Sequence, residues 1–258
     1  MQATPISLTR TGGDIACFDG KIHGDLLWSA KEVNGKVLAT GYSFKDGHYR
    51  MRLWQANGLE GPWSVLDAFD ERVIPPNTGF TEACLVPRED GTLVAFCRVD
   101  GDSVTRRRRG LRPAWKAFRA YRDRKRASLQ PPNRGKVEWF AIGMATPPYT
   151  SWEMTTHRIY LKGPAAIPWR NGYVVAGRFM NRGDRLRQVT LFHYDGAFHP
   201  LLALAEGRDG SYPGLAWHPE RENELIMSYY SDHERLGTPG GGKSNDAWVS
   251  RVLVENKE

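Results

Sequence analysis

EACLVPREDGTLVAFCR, residues 82–98, decides how this chain is read. Two apolar runs, ACLVP and LVAFC, flank the dipeptide Asp90-Gly91. Asp-Gly and Asn-Gly supply the positive φ of a tight reverse turn, so the stretch predicts a two-stranded hairpin. The same layout recurs in LLWSAKEVNGKVLATGYS (26–43), GPAAIPWRNGYVVAGR (163–178) and YPGLAWHPERENELIMSYYS (212–231). Their turns are placed at Asn34-Gly35, Asn171-Gly172 and, in a degenerate copy, Asn223-Glu224.

Each hairpin is followed by further strand-like sequence. The candidates are YRMRLWQANGLEGPWS (49–64), VEWFAIGMATPPYTSWEM (137–154), RQVTLFHYDGAF (187–198) and DAWVSRVLVE (246–255). Trp63 and Trp152 follow polar turns and suit packing between neighbouring sheets. With one basic segment set aside, the repeats return about every fifty residues, the period of a β-propeller blade. The expectation is an all-β propeller with four clear blade repeats; a five-bladed or an incomplete six-bladed array also fits. An antiparallel sandwich with similar hairpins is the competing architecture. Residues 1–258 are read as one domain.

Composition fits that reading. The chain has 27 Gly, 16 Pro, nine Trp, ten Tyr and ten Phe, which suits short strands and tight turns. No apolar run approaches the roughly 18–20 residues of a membrane-spanning helix. Three cysteines, Cys17, Cys84 and Cys97, form no Cys-x-x-Cys pair and give no disulfide framework; buried free thiols are expected. No signal peptide is visible after Met1, which makes a cytoplasmic location the default expectation and an extracellular one the alternative for a processed chain.

The net charge of +7 is unevenly spread. Residues 104–136 hold thirteen Lys and Arg against one acid, Asp123, so the rest of the chain carries −5. Within this insertion (103–136), Leu111, Trp115, Phe118 and Tyr121 recur near helical spacing between Pro113 and Pro131-Pro132. A short basic amphipathic helix is expected. It suits contact with an anionic surface or glycan, or a solvated insertion; no nucleic-acid reading module accompanies it.

The order of EACLVPREDGTLVAFCR and the later YPGLAWHPERENELIMSYYS resembles the sialidase (neuraminidase) superfamily, in its bacterial exo-sialidase-like branch. ANGLEGPW (56–63) and TPPYTSW (146–152) resemble degenerate aspartate boxes. The resemblance covers about residues 25–251 apart from the insertion. It implies a propeller of sialidase type, a glycan substrate such as sialic acid or a related acidic sugar, and no cofactor or metal. Glu82 resembles the carboxylate that activates the nucleophile, and Tyr212 the nucleophilic tyrosine. Arg98 resembles one of the arginines holding the substrate carboxylate; for another, Arg178, Arg185 and Arg187 are candidates. A phenol suits this chemistry because a carboxylate nucleophile would be repelled by the carboxylate beside the anomeric carbon. Arginine forks suit a carboxylate.

Tyr229 and Tyr230 point to opposite faces by strand alternation, so one can line the mouth, with Tyr230 as the binding candidate. For the early arginine and acid of the family, Arg10 with Asp14 or Asp19 match only by residue type. Two other functions fit the pattern: a non-catalytic glycan-binding propeller, and a five-bladed glycoside hydrolase using paired carboxylates, here Asp25 and Glu82. GTPGGGKS (237–244) matches the phosphate-loop pattern, but strand-like sequence follows where a helix is needed, so a loop is expected. The scattered histidines lack metal-site spacing.

Overall fold

The computed structural model describes residues 6–7, 16–17, 25–45, 48–59, 61–76, 78–101, 139–180, 187–207, 210–231 and 246–254. A two-residue ladder comes first, β1 (Ile6–Ser7) with β2 (Ala16–Cys17). Four antiparallel sheets follow in chain order. The first holds β3 (Leu26–Val33), β4 (Lys36–Lys45), β5 (His48–Ala56) and β6 (Ser64–Ala68). The second holds β7 (Thr78–Pro87), β8 (Leu93–Gly101), β9 (Phe140–Ala145) and β10 (Glu153–His157). The third holds β11 (Leu161–Trp169), β12 (Gly172–Phe179), β13 (Arg187–Tyr194) and β14 (Phe198–Gly207). The fourth holds β15 (Gly210–Trp217), β16 (Glu224–Ser231) and β17 (Asp246–Leu253). Each strand pairs with its sequence neighbour. Among the described residues the result is a four-bladed β-propeller whose inner strands are β3, β7, β11 and β15. One 3-10 turn, Glu71–Val73, joins the first two blades.

The four hairpins read from sequence are β3–β4, β7–β8, β11–β12 and β15–β16. Asn34 and Gly35 have φ of 52° and 73°, and Gly91 has 80°, as such turns require. The third turn sits one residue earlier than expected. Arg170 (φ 54°) and Asn171 form it, while Gly172 pairs with Trp169 inside the ladder. Glycine is required there by space: a Cβ would collide with the Tyr194 carbonyl.

Blade stacking explains the unbroken apolar runs. In β8, Leu93, Ala95 and Cys97 face the first blade and pack with Leu53, Phe80 and Leu85. Val94 and Phe96 point the other way and pack with Leu161, Val175 and Phe192 of the third blade. In β12, Val175 faces the second blade while Val174 and Ala176 join Leu225 and Met227 of the fourth. A strand buried on both faces loses polar alternation and becomes continuously apolar, as in LVAFC and YVVA. Trp152 stacks on Phe69 with ring centroids 4.7 Å apart, joining blades one and two, while Trp63 packs beside Trp54 within blade one. Cross-blade hydrogen bonds add to this, such as Thr40 Oγ1 donating to Ala83 O (2.8 Å) and Trp217 Nε1 donating to Pro168 O (3.1 Å). Cys84 and Cys97 are free thiols, and burial raises both pKa values.

One irregularity recurs in every blade. The inner strand advances one residue more than its partner between Leu27 and Ser29, Phe80 and Ala83, Lys162 and Ala165, and Ser211 and Gly214. Each is a β-bulge, which re-aims side chains at that level. The residues inside the four bulges are Trp28, Thr81-Glu82, Gly163-Pro164 and Tyr212-Pro213. Gly163 (φ 57°) and Tyr212 (φ 52°) take the left-handed conformation.

The basic stretch 103–136, Arg10, Asp14, Asp19, Arg185 and residues 237–244 lie outside the described residues.

Candidate functional site

The bulges bring side chains from three inner strands and their partners together. Tyr212 Oη donates to Glu82 Oε1 at 2.9 Å. Arg98 Nη1, on the strand opposite the Glu82 bulge, donates to Glu82 Oε2 at 2.6 Å. Arg98 Nε lies 2.6 Å from Asp100 Oδ2, and Lys162 Nζ lies 3.1 Å from Asp100 Oδ1. Lys162 also donates to the Val99 carbonyl, and Thr81 Oγ1 to Asp100 Oδ2 at 3.1 Å. A chain therefore runs Tyr212–Glu82–Arg98–Asp100–Lys162 across blades four, two and three.

Packing positions the tyrosine. The Tyr212 ring meets Trp28 at 5.2 Å and Tyr230 at 5.7 Å between centroids, where the first and last inner strands approach. Gly163 makes this possible: a Cβ there would stand 2.6 Å from Tyr212 Cδ1 and 2.7 Å from Ser211 Oγ. Tyr212 nevertheless remains 43% exposed. An axial pocket of about 240 Å³ beside it is lined from all four inner strands, including Trp28, Cys84, Gly163 and Tyr212.

The electrostatics follow from burial and charge. Burial, then the Glu82 carboxylate, pushes the Tyr212 phenol up to about 12. Tyr42 is raised for the same two reasons. For Asp100, burial pushes upward, but Lys162 and Arg98 together outweigh it and hold the carboxyl below its ordinary value. Lys162, 3% exposed, is lowered mainly by burial, with Asp100 pulling against that shift. Arg98 is raised, since Asp100 and Glu82 together outweigh its burial.

Arg98, expected to grip a substrate carboxylate, donates from Nη1 to Glu82 Oε2 and sets Nε 2.6 Å from Asp100 Oδ2, so its guanidinium lies between these two carboxylates. Arg178 Nε donates to Gly210 O (2.8 Å) and Nη2 to Tyr230 Oη (2.6 Å), which places Tyr230 beside Tyr212. Tyr229 is buried in the core between blades three and four. Arg187 begins β13, opposite Gly207. Asp25, 1% exposed, accepts from Arg52 Nη1 (2.8 Å) and Trp54 Nε1 (2.9 Å). Among the described residues, no group of three His, Cys, Asp or Glu is placed to hold a metal ion.

Sequence reasoning missed Asp100, Lys162 and Trp28. Asp100 had a signal: two residues after Arg98, it shares that residue's face of the strand. Lys162 had none, because a lysine opening an apolar strand reads as a solvated end.

No protein-family model matches the chain, and no curated protein resembles it in sequence. Solved structures do resemble it. A protein of unknown function from Dyadobacter fermentans superposes with a TM-score of 0.55 at 14% identity, over 88% of this chain and 53% of that one. A thermostable family-43 glycoside hydrolase gives 0.55 at 12% identity, over 88% of this chain and 71% of that one. The GH43_1 enzyme from Xanthomonas citri, complexed with xylose, gives 0.54 at 11%, over 97% and 77%. This chain spans about half the length of the Dyadobacter protein. At such identities the likeness is one of fold, and the shared fold is the β-propeller.

Proposed function

We propose that this chain is a glycoside hydrolase that acts on sialic acid or a related acidic sugar, with Tyr212 as nucleophile and Glu82 as its base. The observation carrying the proposal is the 2.9 Å hydrogen bond from Tyr212 Oη to Glu82 Oε1, with Glu82 held from its other oxygen by Arg98. Fold neighbours named as glycoside hydrolases support the general class.

A phenol with a pKa of about 12 is neutral at ordinary pH and must lose its proton as it attacks. With an aryl sialoside, Glu82 Oε1 takes that proton while Tyr212 Oη bonds to the anomeric carbon. The bond to the aryl oxygen breaks and phenolate leaves. Water then attacks the anomeric carbon and the tyrosyl bond breaks. Glu82 returns its proton to Tyr212, and the second proton of water goes to solvent, where it neutralises the phenolate. Arg98 keeps Glu82 oriented throughout, and Arg178 with Tyr230 adjoins the reacting tyrosine to orient the sugar.

The test is fluorophore release from 4-methylumbelliferyl α-sialoside by the folded full chain and by Tyr212→Phe. Turnover that falls at least a hundredfold in the variant, with an unchanged melting temperature, supports the tyrosine mechanism. Turnover that survives removes Tyr212 from it. A second reading is a glycan-binding propeller without catalysis, favoured by the ion pairs that occupy Arg98 and Asp100. Sialoside binding without turnover in wild type would select it. Turnover of a neutral aryl xyloside lost in Asp25→Asn, but not in Tyr212→Phe, would select paired carboxylates instead.

A further inference from the structure

A cleft of about 870 Å³ lies away from Tyr212, between blades two and three, lined among others by Arg158, Tyr160, Phe179, Thr190, Phe192 and Phe198. That volume is within the range of small-molecule sites. Its walls are aromatic and packed edge-to-face: Phe179 meets Phe192 at 5.3 Å, and Phe192 meets Phe198 at 5.7 Å. Phe192 is 3% exposed at the back of this wall, while Phe179 and Phe198 are only partly buried and offer ring surface to a further aromatic group.

Thr190 makes the cleft more than an apolar gap. Its neighbours Val189 and Leu191 pack toward blade four, whereas Phe192 packs toward blade two. Strand alternation therefore turns Thr190 toward the cleft with Phe192. Thr190 is 3% exposed, and its Oγ1 has no hydrogen-bond partner among the described residues. A buried hydroxyl without a partner is costly, and its natural resolution is a ligand group that pairs with it. Arg158, exposed among the lining residues, adds a cation. His157, also lining the cleft, has its pKa lowered by burial and shares a 3.2 Å hydrogen bond with Tyr194 Oη.

We propose that this cleft binds an aryl carboxylate that carries a phenolic hydroxyl. The ring packs among Phe179, Phe192 and Phe198, the hydroxyl pairs with Thr190 Oγ1, and the carboxylate meets Arg158. The site stands independently of the reading of Tyr212.

Isothermal titration of the full chain with p-coumarate and with cinnamate tests this, because the two differ only in the hydroxyl. Wild type is expected to bind p-coumarate about fivefold or more tightly than cinnamate, as one buried hydrogen bond allows. In Thr190→Val the preference vanishes while cinnamate affinity is unchanged; Thr190→Ser, which keeps the hydroxyl, retains it. Arg158→Glu weakens both ligands by a similar factor. Thr190→Val removes an unpaired hydroxyl at constant shape, so its melting temperature stays level or rises. The proposal is overturned if neither acid binds at millimolar concentration, if the preference survives Thr190→Val, or if that variant weakens both acids equally.

Discussion

Replacing Asp100 by Asn isolates the ion pairs behind the Tyr212–Glu82 pair. The change keeps shape and removes one charge. It leaves Lys162, 3% exposed, facing a neutral amide and the Val99 carbonyl, and deprives Arg98 Nε of the carboxylate oxygen 2.6 Å away. Breaking a buried ion pair from one side costs about 3–5 kcal/mol. The Asp100 side chain is 22% exposed, so the lower end applies, about 3 kcal/mol. For a chain of this size that is a fall of roughly 6–12 °C in melting temperature. Adding Lys162→Met removes the stranded cation, and the double variant should recover about 1–2 kcal/mol of the loss. Urea denaturation of the four proteins, followed by tryptophan fluorescence, gives the coupling directly. The pH dependence has a fixed sign. Asp100 titrates below its ordinary value of 3.8 in the folded state, so its contribution is complete above that pH and is lost as pH falls through the lower folded value. The gap between wild type and Asp100→Asn should therefore narrow below about pH 4. A melting-temperature loss under about 2 °C, or single-variant effects that simply add, would refute this account of the network.

Two further outcomes follow from the same geometry. Glu82→Gln removes the charge that, after burial, raises the Tyr212 phenol, so ultraviolet difference titration against Tyr212→Phe should place Tyr212 below its wild-type value of about 12; an unchanged titration would mean that burial alone sets it. Gly163→Ala adds a Cβ 2.6 Å from the Tyr212 ring at a positive φ, which should cost about 1–2 kcal/mol and displace the ring from Glu82; a variant as stable and as active as wild type would show that the ring position is loosely held.

The turns were the most legible part of this chain. Asn34-Gly35 and Asp90-Gly91 announce hairpins because few other residues accept positive φ, and the repeat of those hairpins gave the blades. The third turn was misplaced by one residue because Gly172 serves close packing rather than turn geometry, and a sequence does not separate the two uses. Glu82, Arg98 and Tyr212 were singled out by resemblance, but their arrangement was not visible. Asp100 shares Arg98's face of β8, but nothing local tells Arg98 to reach Glu82, 16 residues away across the β7–β8 hairpin. The rest follows from three blades meeting, with Tyr212 130 residues beyond Glu82 and Lys162 62 residues beyond Asp100. Bulges are equally silent, since an extra residue in a strand keeps the same composition and shifts only its pairing.

The extra residue in each inner strand acts as a phase shifter. Before it, side chains follow one alternation; after it, the parity is reversed, so the mouth and the core of each blade are addressed by separate counts. Shortening β7 by the one residue Glu82 would leave Phe80 and Ala83 two residues apart, opposite Val99 and Cys97, so plain alternation would keep Phe80, Ala83 and Leu85 packed against blade one. The core does not need the extra residue; the mouth does, because that slot is where Glu82 leaves the ladder to meet Tyr212 and Arg98.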